Sequence, residues 1–233
     1  MDALVSRFFR VDDPQTHDFV YPIPDTFWSR FYEYEWTKAF TDPNDTCLDA
    51  ASGVVHPLQF YLADHCKSVY ACDLDPRVGS RPAIEAMMRD WKIDMFVNQD
   101  RYFSNVQRTV CSLTNLPYAD AFFDKVYCIS TLEHLRDRFN RYPVLQRLTR
   151  YLRPFLRSDI FDTLAEFKRV LKTDGMIILT FDYPRINLAY LTRIVDELCL
   201  VFCGPVDFQL PPNAVTGSAR NLNCFRAVLR KRA

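Results

Sequence analysis

Three residues stand where two short apolar segments end in the first third of the chain. Asp49 and Gly53 lie at the end of TCLDAASG, and Asp73 ends SVYACD about twenty residues later. A glycine between a strand and a helix lets the backbone approach a ligand closely. The carboxylate of Asp49 could orient the turn or bind an ammonium group, and that of Asp73 could accept hydrogen bonds from both ribose hydroxyls. The alternative is a plain tight turn with acids that cap helices.

The segments that must position these residues alternate between strands and helices. We predict strands at 46–50, 68–73, 109–112, 125–130 and 176–181, and two late strands at 206–210 and 224–229. Helices are predicted at 26–40, 57–64, 82–91, 161–171 and 188–200, with Gly175 as a left-handed cap after the fourth. This order favours an α/β fold with a parallel sheet, helices on both faces and ligands at the carboxyl edge. We expect a helical cap or substrate lid at 1–45, and a domain at 46–233 with an insertion at 136–160.

Composition excludes several classes of protein. Lys and Arg together number 29, as do Asp and Glu, so no overall charge recruits nucleic acid or a membrane. The eight cysteines show no C-x-x-C spacing, and we expect reduced thiols. The N-terminal residues lack the apolar run of a signal peptide, and no apolar stretch reaches the roughly 18 residues of a membrane span. These features predict a cytoplasmic protein.

Four segments in order resemble the motifs of class I, Rossmann-like S-adenosylmethionine-dependent methyltransferases of the small-molecule type. They are LDAASG, VYACDLDP, SLTNLPYADAFFDKVYCISTLEHL and EFKRVLKTDGMIILT. The resemblance implies a seven-stranded, mostly parallel sheet with a final antiparallel strand. It also implies S-adenosyl-L-methionine as cofactor and S-adenosyl-L-homocysteine as product.

The same resemblance assigns roles to nine positions. The methionine half of the cofactor would lie along Asp49, Ala51, Gly53 and Ser130, and Tyr34 of the segment EYEW would close over its amino-acid end. The ribose would be held by Asp73, with Leu74 packed on the adenine and Ser112 and Leu113 beside it.

The chain departs from the family pattern in two places. Of the usual three glycines in the first turn only Gly53 remains, with Ala51 and Val55 in the other places. Alanine there is a modest change at negative φ, whereas valine at positive φ would be costly. The acid that commonly binds the adenine amino group is replaced by Ser112. Because no G-x-G-x-x-G is present, a nicotinamide dehydrogenase is disfavoured, and STLEHL argues against methylation of nucleobase or amide nitrogens.

The proton acceptor for methyl transfer is predicted to be His134, which follows the fourth strand. An imidazole titrates near the working pH, so it suits general-base catalysis. A structural role for this histidine is the alternative. Other rim candidates are Glu133, Asp182, Tyr183 and His56.

Seven arginines lie between residues 136 and 157, on the rim where such enzymes recognise their acceptors. Guanidinium groups match phosphate and carboxylate, so the segment indicates an anionic acceptor, or alternatively a solvated helix. We therefore predict methyl transfer to an O or N atom of a small molecule, which is anionic if these arginines bind it. A catalytically inactive binding subunit and an aminopropyl transferase are the alternatives. No nucleic-acid or membrane partner is expected, and a homodimer is left open.

Overall fold

Nine strands and six α-helices form the part of the chain that the computed structural model describes, residues 3–93, 99–135, 158–217 and 221–232. The strands are β1 (Arg7–Phe8), β2 (Thr46–Ala50), β3 (Ser68–Asp73), β4 (Val106–Val110), β5 (Phe123–Ile129), β6 (Leu171–Tyr183), β7 (Leu200–Phe202), β8 (Thr216–Gly217) and β9 (Leu222–Lys231). The helices are α1 (Arg30–Thr37), α2 (Leu58–His65), α3 (Arg81–Asp90), α4 (Gln99–Ser104), α5 (Asp159–Val170) and α6 (Leu188–Glu197). None of these helices is long and apolar enough to cross a membrane, a statement limited to the described ranges.

The strands form one sheet in the order β1-β9-β6-β5-β2-β3-β4, and β7 and β8 also pair with β9. Strands β4, β3, β2, β5 and β6 are parallel, and β9 runs antiparallel to β6. The central strands are short and apolar because both of their faces are covered. Cys47, Leu48 and Ala50 of β2, for example, have no exposed surface. This arrangement confirms the predicted α/β fold with a mostly parallel sheet and a late antiparallel strand.

The strand count differs from the seven predicted. The two additions, β1 and β8, are two residues long and pair with the long β9. The predicted strand at 206–210 is wrong, since only Val206 makes an isolated bridge, to Ser6. The strand of that region is β7 instead: α6 ends at Glu197, and Cys199 takes a φ of 50°, which lets the chain turn back early.

Gly175 does not cap a helix, contrary to the prediction. Helix α5 ends at Val170, and Leu171 already pairs with Phe123 as the first residue of β6. Gly175 is instead required by close packing, because a Cβ there would lie 2.8 Å from the carbonyl oxygen of Asp124. The remaining predicted helices and strands are present with ends shifted by a few residues.

Residues 3–45 pack against the sheet through β1 and α1. The predicted helix at 26–40 is shorter than expected, since α1 spans Arg30–Thr37 and a 3-10 turn follows at Lys38–Phe40. Trp36 of α1 donates from Nε1 to the carbonyl oxygen of Ala3 at 2.9 Å and belongs to the buried cluster that contains Tyr127 of β5. The α1 side chains therefore reach the sheet itself. A cap or lid at 1–45 and an insertion at 136–160 stay predictions.

Candidate active site

The turn after β2 combines two residues with positive φ. Ala51 has a φ of 59° and Gly53 a φ of 62°. Alanine would be a modest change from glycine only at negative φ. Because the φ of Ala51 is positive, this residue carries backbone strain of about 1–2 kcal/mol. Val55 is not among the residues of positive φ. At Gly53 an added Cβ would lie 3.1 Å from the ring of His56, so the turn leaves little room for a side chain.

Asp73 is fixed by two backbone donors. Gly53 donates its N–H to Oδ2 at 2.9 Å, and Asp75 donates its N–H to Oδ1, also at 2.9 Å. Each carboxylate oxygen has a second lone pair and can accept a further hydrogen bond. Asp75 caps the turn that follows β3, since its Oδ1 accepts the N–H of Arg77 at the start of the 3-10 turn Pro76–Gly79.

A cavity of about 350 Å³, which we name the Asp73 cavity, opens at the carboxyl edge of the parallel strands. Eight of the ten predicted site residues line it: Ala51, Gly53, Asp73, Leu74, Ser112, Leu113, Ser130 and His134. Leu74 is 70% exposed. An exposed leucine beside an oriented acid offers both an apolar surface and hydrogen-bond acceptors to a nucleoside.

Asp49 and Tyr34, the other two predicted residues, are buried and do not line this cavity. Asp49 is 3% exposed, and its Oδ2 has no hydrogen-bond partner. Burial and the charge of Asp73 raise the pKa of Asp49 to about 7, against the opposing effect of Arg30. Tyr34 is buried with its ring stacked on Phe19 at 5.1 Å, and burial raises the pKa of its hydroxyl.

A buried acid on α1 ties three elements together at the rim of the Asp73 cavity. Glu33 has no exposed surface and accepts hydrogen bonds from Arg30, from Ser130 Oγ at 2.6 Å and from Cys224 Sγ at 2.9 Å. Burial opposes its ionisation, but the charge of Arg30 and these three hydrogen bonds lower the pKa of Glu33 below its ordinary value. Arg30 and Glu33 were missed by the sequence analysis. Their spacing of three residues on a helix face rich in aromatic residues is the signal that could have found them.

A second cavity, which we name the Glu133 cavity, has a volume of about 450 Å³. It shares Arg30, Ser130 and His134 with the Asp73 cavity. Its other lining residues are Asp25, Thr26, Phe27, Trp28, Ser29, Glu133, Asp182, Arg185, Gly217 and Leu222. The two cavities are therefore adjacent, and they meet at the end of β5.

Three of the six charged or titratable residues that line the Glu133 cavity are carboxylic acids, namely Asp25, Glu133 and Asp182. The Oε2 atom of Glu133 is buried without a hydrogen-bond partner. Burial and the charges of Asp182 and Glu33 raise the pKa of Glu133 to about 8. Asp182 is 7% exposed, and burial and Glu33 raise its pKa too, while Arg185 Nη1 lies 3.8 Å from its Oδ2.

The remaining rim candidates differ in position. His134 is exposed at the junction of the cavities. His56 lines the Asp73 cavity, and burial together with Arg30 lowers its pKa to about 4. Tyr183 lines neither cavity and packs edge-on against Phe8 at 5.4 Å. In the part of the chain that the structure describes, no group of three or more His, Cys, Asp or Glu residues could hold a metal ion.

Known proteins are similar to this chain in one sequence domain and in fold. The sequence model of the methyltransferase domain matches residues 48–155. The N-methyltransferase NodS from Bradyrhizobium japonicum WM9 is similar in structure, with a TM-score of 0.55, 14% identity, and coverage of 91% of this chain and 100% of NodS. The YcgJ protein from Bacillus subtilis gives a TM-score of 0.53 at 12% identity, covering 84% of this chain and 96% of YcgJ. The [4+2]-cyclase SpnF gives 0.57 at 13% identity, covering 97% and 87%. No curated protein matches in sequence.

The sheet order and the cavity at its carboxyl edge define a Rossmann-like α/β protein with a ligand site at the strand ends. The match over residues 48–155 shows a methyltransferase domain. The fold is similar to that of solved methyltransferases such as the N-methyltransferase NodS.

Proposed function

We propose that the protein transfers a methyl group from S-adenosylmethionine in the Asp73 cavity to an O or N atom of a small molecule in the Glu133 cavity. The observation that carries this proposal is the junction of the two cavities at Arg30, Ser130 and His134. A volume of about 450 Å³ lies within the range of small-molecule sites.

The residues of the Asp73 cavity fit the cofactor. Asp73 has acceptor capacity left for the ribose hydroxyls, and exposed Leu74 offers an apolar surface to the adenine, beside Ser112 and Leu113. The cofactor is cationic at both its sulfonium and its ammonium group. Asp49, whose Oδ2 lacks a partner, supplies a compensating carboxylate beneath the turn. A NodS structure of TM-score 0.50 and 14% identity, covering 82% of this chain and 80% of NodS, was solved with S-adenosylhomocysteine.

The chain's own contribution to the reaction is alignment and proton removal. S-adenosylmethionine supplies a methyl group that is already strongly electrophilic. The turn from Ala51 to Gly53 and Ser130 would hold the methionine half of the cofactor, and alignment of the methyl group with the acceptor would be their contribution to the reaction. His134 lies at the junction and Glu133 lines the Glu133 cavity next to it, and either could receive the proton that the acceptor atom gives up.

A labelled-methyl assay tests this function. The protein is incubated with methyl-labelled S-adenosylmethionine and a filtered extract of small metabolites, in parallel with extracts of protein and of nucleic acid. We expect label in the small-molecule products, and its loss in the variant Asp73→Ala. Label confined to protein or nucleic acid would contradict the small-molecule acceptor. Binding of S-adenosylhomocysteine with no label in any fraction would favour the inactive binding subunit, which the strained Ala51 supports.

A further inference from the structure

The carboxylates that line the Glu133 cavity outnumber the arginines that line it. Asp25, Glu133 and Asp182 contribute three carboxylates. Of the two arginines in the lining, Arg30 is hydrogen-bonded to buried Glu33, outside the lining, and Arg185 lies 3.8 Å from Asp182. Within the described residues, neither Asp25 nor Glu133 forms an ion pair with these arginines, and Arg30 acts on Glu133 only through its charge. The described part of the cavity therefore carries more acid than free base.

Glu133 is the least satisfied of these carboxylates. Its Oε2 is buried and has no hydrogen-bond partner, although the residue lines a cavity large enough for a ligand. A buried carboxylate without a partner is unfavourable, and a hydrogen-bonding cation at that atom removes the cost. The charged groups that face it are Asp182 at the end of β6, Glu33 and Arg30 on α1, and His134 on its own turn.

The aromatic lining suits the same kind of ligand. Phe27 and Trp28 line the Glu133 cavity on the side of the N-terminal segment. Aromatic faces attract ammonium groups, by about 0.5–2 kcal/mol depending on how far the cation is desolvated. Carboxylates and aromatic rings in the lining of one cavity indicate an organic cation.

We propose that the acceptor is an amine, which enters the Glu133 cavity as an ammonium ion held by Glu133 and Asp182. This proposal rests on the proposed function and names its substrate class. The N–H proton of the ammonium passes to Oε2 of Glu133, and the electron pair of that N–H bond remains on nitrogen as the lone pair that accepts the methyl group. Glu133 is uncharged afterwards and returns the proton to solvent.

This inference differs from the anionic acceptor that the arginine-rich segment predicts. Residues 136–157 of that segment lie outside the described residues, and the anion hypothesis stays a prediction. The carboxylate of Glu133 would attract a cationic acceptor and repel an anionic one. One set of charged and uncharged probes therefore distinguishes the two hypotheses.

The test is a calorimetric titration of the full chain, saturated with S-adenosylhomocysteine, with three probes of matched shape. These are 2-phenylethylamine, 2-phenylethanol and 3-phenylpropionate. We expect the amine to bind at least about tenfold more tightly than the alcohol or the carboxylate. The variant Glu133→Gln should reduce that preference to about twofold or less, whereas Glu197→Gln, a surface substitution on α6, should leave it unchanged.

The outcomes separate the inference from the function on which it rests. Equal binding of the three probes, tighter binding of the carboxylate, or no amine binding at millimolar concentration overturns the amine acceptor. An amine preference that survives in a folded Glu133→Gln protein overturns the role of Glu133. If S-adenosylhomocysteine itself fails to bind, the proposed function fails, and titration of the amine without it still decides the charge preference of the cavity.

Discussion

Gly53 and Asp73 are joined by a hydrogen bond of 2.9 Å from the glycine N–H to the Oδ2 of the acid. The bond connects the turn after β2 with the end of β3, twenty positions away in the chain. Asp75 donates to the other oxygen, so the carboxylate is oriented from both sides before a ligand binds. The turn and the acid therefore act as one preorganised unit, and changes to either should affect cofactor binding.

Substitutions at the two residues of positive φ in the turn should have different effects on the free energy of unfolding. Gly53→Ala places a Cβ at a φ of 62° and 3.1 Å from the ring of His56, and should reduce the free energy of unfolding by about 1–2 kcal/mol. Ala51→Gly relieves strain at a φ of 59° and should be neutral or stabilising. Urea-induced unfolding of both variants measures the difference. Equal destabilisation by the two exchanges would show that backbone strain is not what distinguishes these positions.

Leu74 should matter for binding and not for stability. Because its side chain is 70% exposed, Leu74→Ala should change the free energy of unfolding by less than about 0.5 kcal/mol. The same change removes apolar surface from the Asp73 cavity and should weaken S-adenosylhomocysteine binding about tenfold. The matched control is Leu210→Ala, an exposed leucine that lines neither cavity. Unchanged affinity in Leu74→Ala would remove this residue from the adenine site.

The buried pair of Arg30 and Glu33 should be far more important to stability than a neighbouring surface pair. Glu33→Gln leaves Arg30 without its carboxylate and should reduce the free energy of unfolding by about 3 kcal/mol. Glu35→Gln, two residues along the same helix, breaks a partly exposed ion pair with Lys38. This variant should change the free energy of unfolding by less than about 0.5 kcal/mol. Urea-induced unfolding at neutral pH compares the two variants, and similar losses would contradict the buried network.

The free energy of unfolding should fall with rising pH because of Asp49. Burial and Asp73 raise its pKa from an ordinary 3.8 to about 7, while Arg30 opposes the rise. Between these values the folded state binds more protons at Asp49 than the unfolded state does, so stability is lost as pH rises. The loss is at most about 4 kcal/mol and is complete a little above pH 7. Urea-induced unfolding across that range measures it.

The variant Asp49→Asn isolates this contribution from others in the same range. Glu133, with a pKa of about 8, adds a loss that continues to higher pH. His56, with a pKa lowered to about 4, acts in the opposite direction below its ordinary value of 6.5. Both effects cancel when wild type and Asp49→Asn are compared at each pH. The stability of the wild type should decline relative to the variant up to about pH 7, and parallel profiles would contradict the raised pKa.

The parts of the site that follow single strands could be predicted from the sequence. The apolar segments TCLDA and SVYACD form β2 and β3 with the predicted ends, because strands buried on both faces read as continuous apolar runs. The acid and the turn beyond them then meet at one sheet edge by topology alone. Asp73, Gly53, Leu74 and Ser112 accordingly line one cavity.

Features that depend on packing between distant segments could not be predicted in the same way. Glu33 and Ser130 lie 97 positions apart and meet only because α1 packs over the end of β5. The positive φ of Ala51 results from the path that the turn must take toward Asp73, which residue type alone does not reveal. The segment KTDG predicts a helix cap at Gly175, because the contact of this glycine with the backbone of Asp124 is invisible in the local sequence.

The central claim, that Asp73 holds the cofactor in its cavity, is tested most directly by calorimetric titration with S-adenosylhomocysteine. The wild type should bind at micromolar concentration, and Asp73→Ala should bind about 100-fold more weakly, since hydrogen bonds to a charged group are lost. Asp75→Ala, which alters an acid bonded to Arg77 outside the cavity, should bind within about threefold of the wild type. Wild-type affinity in a folded Asp73→Ala protein, or equal losses in both variants, would contradict the claim.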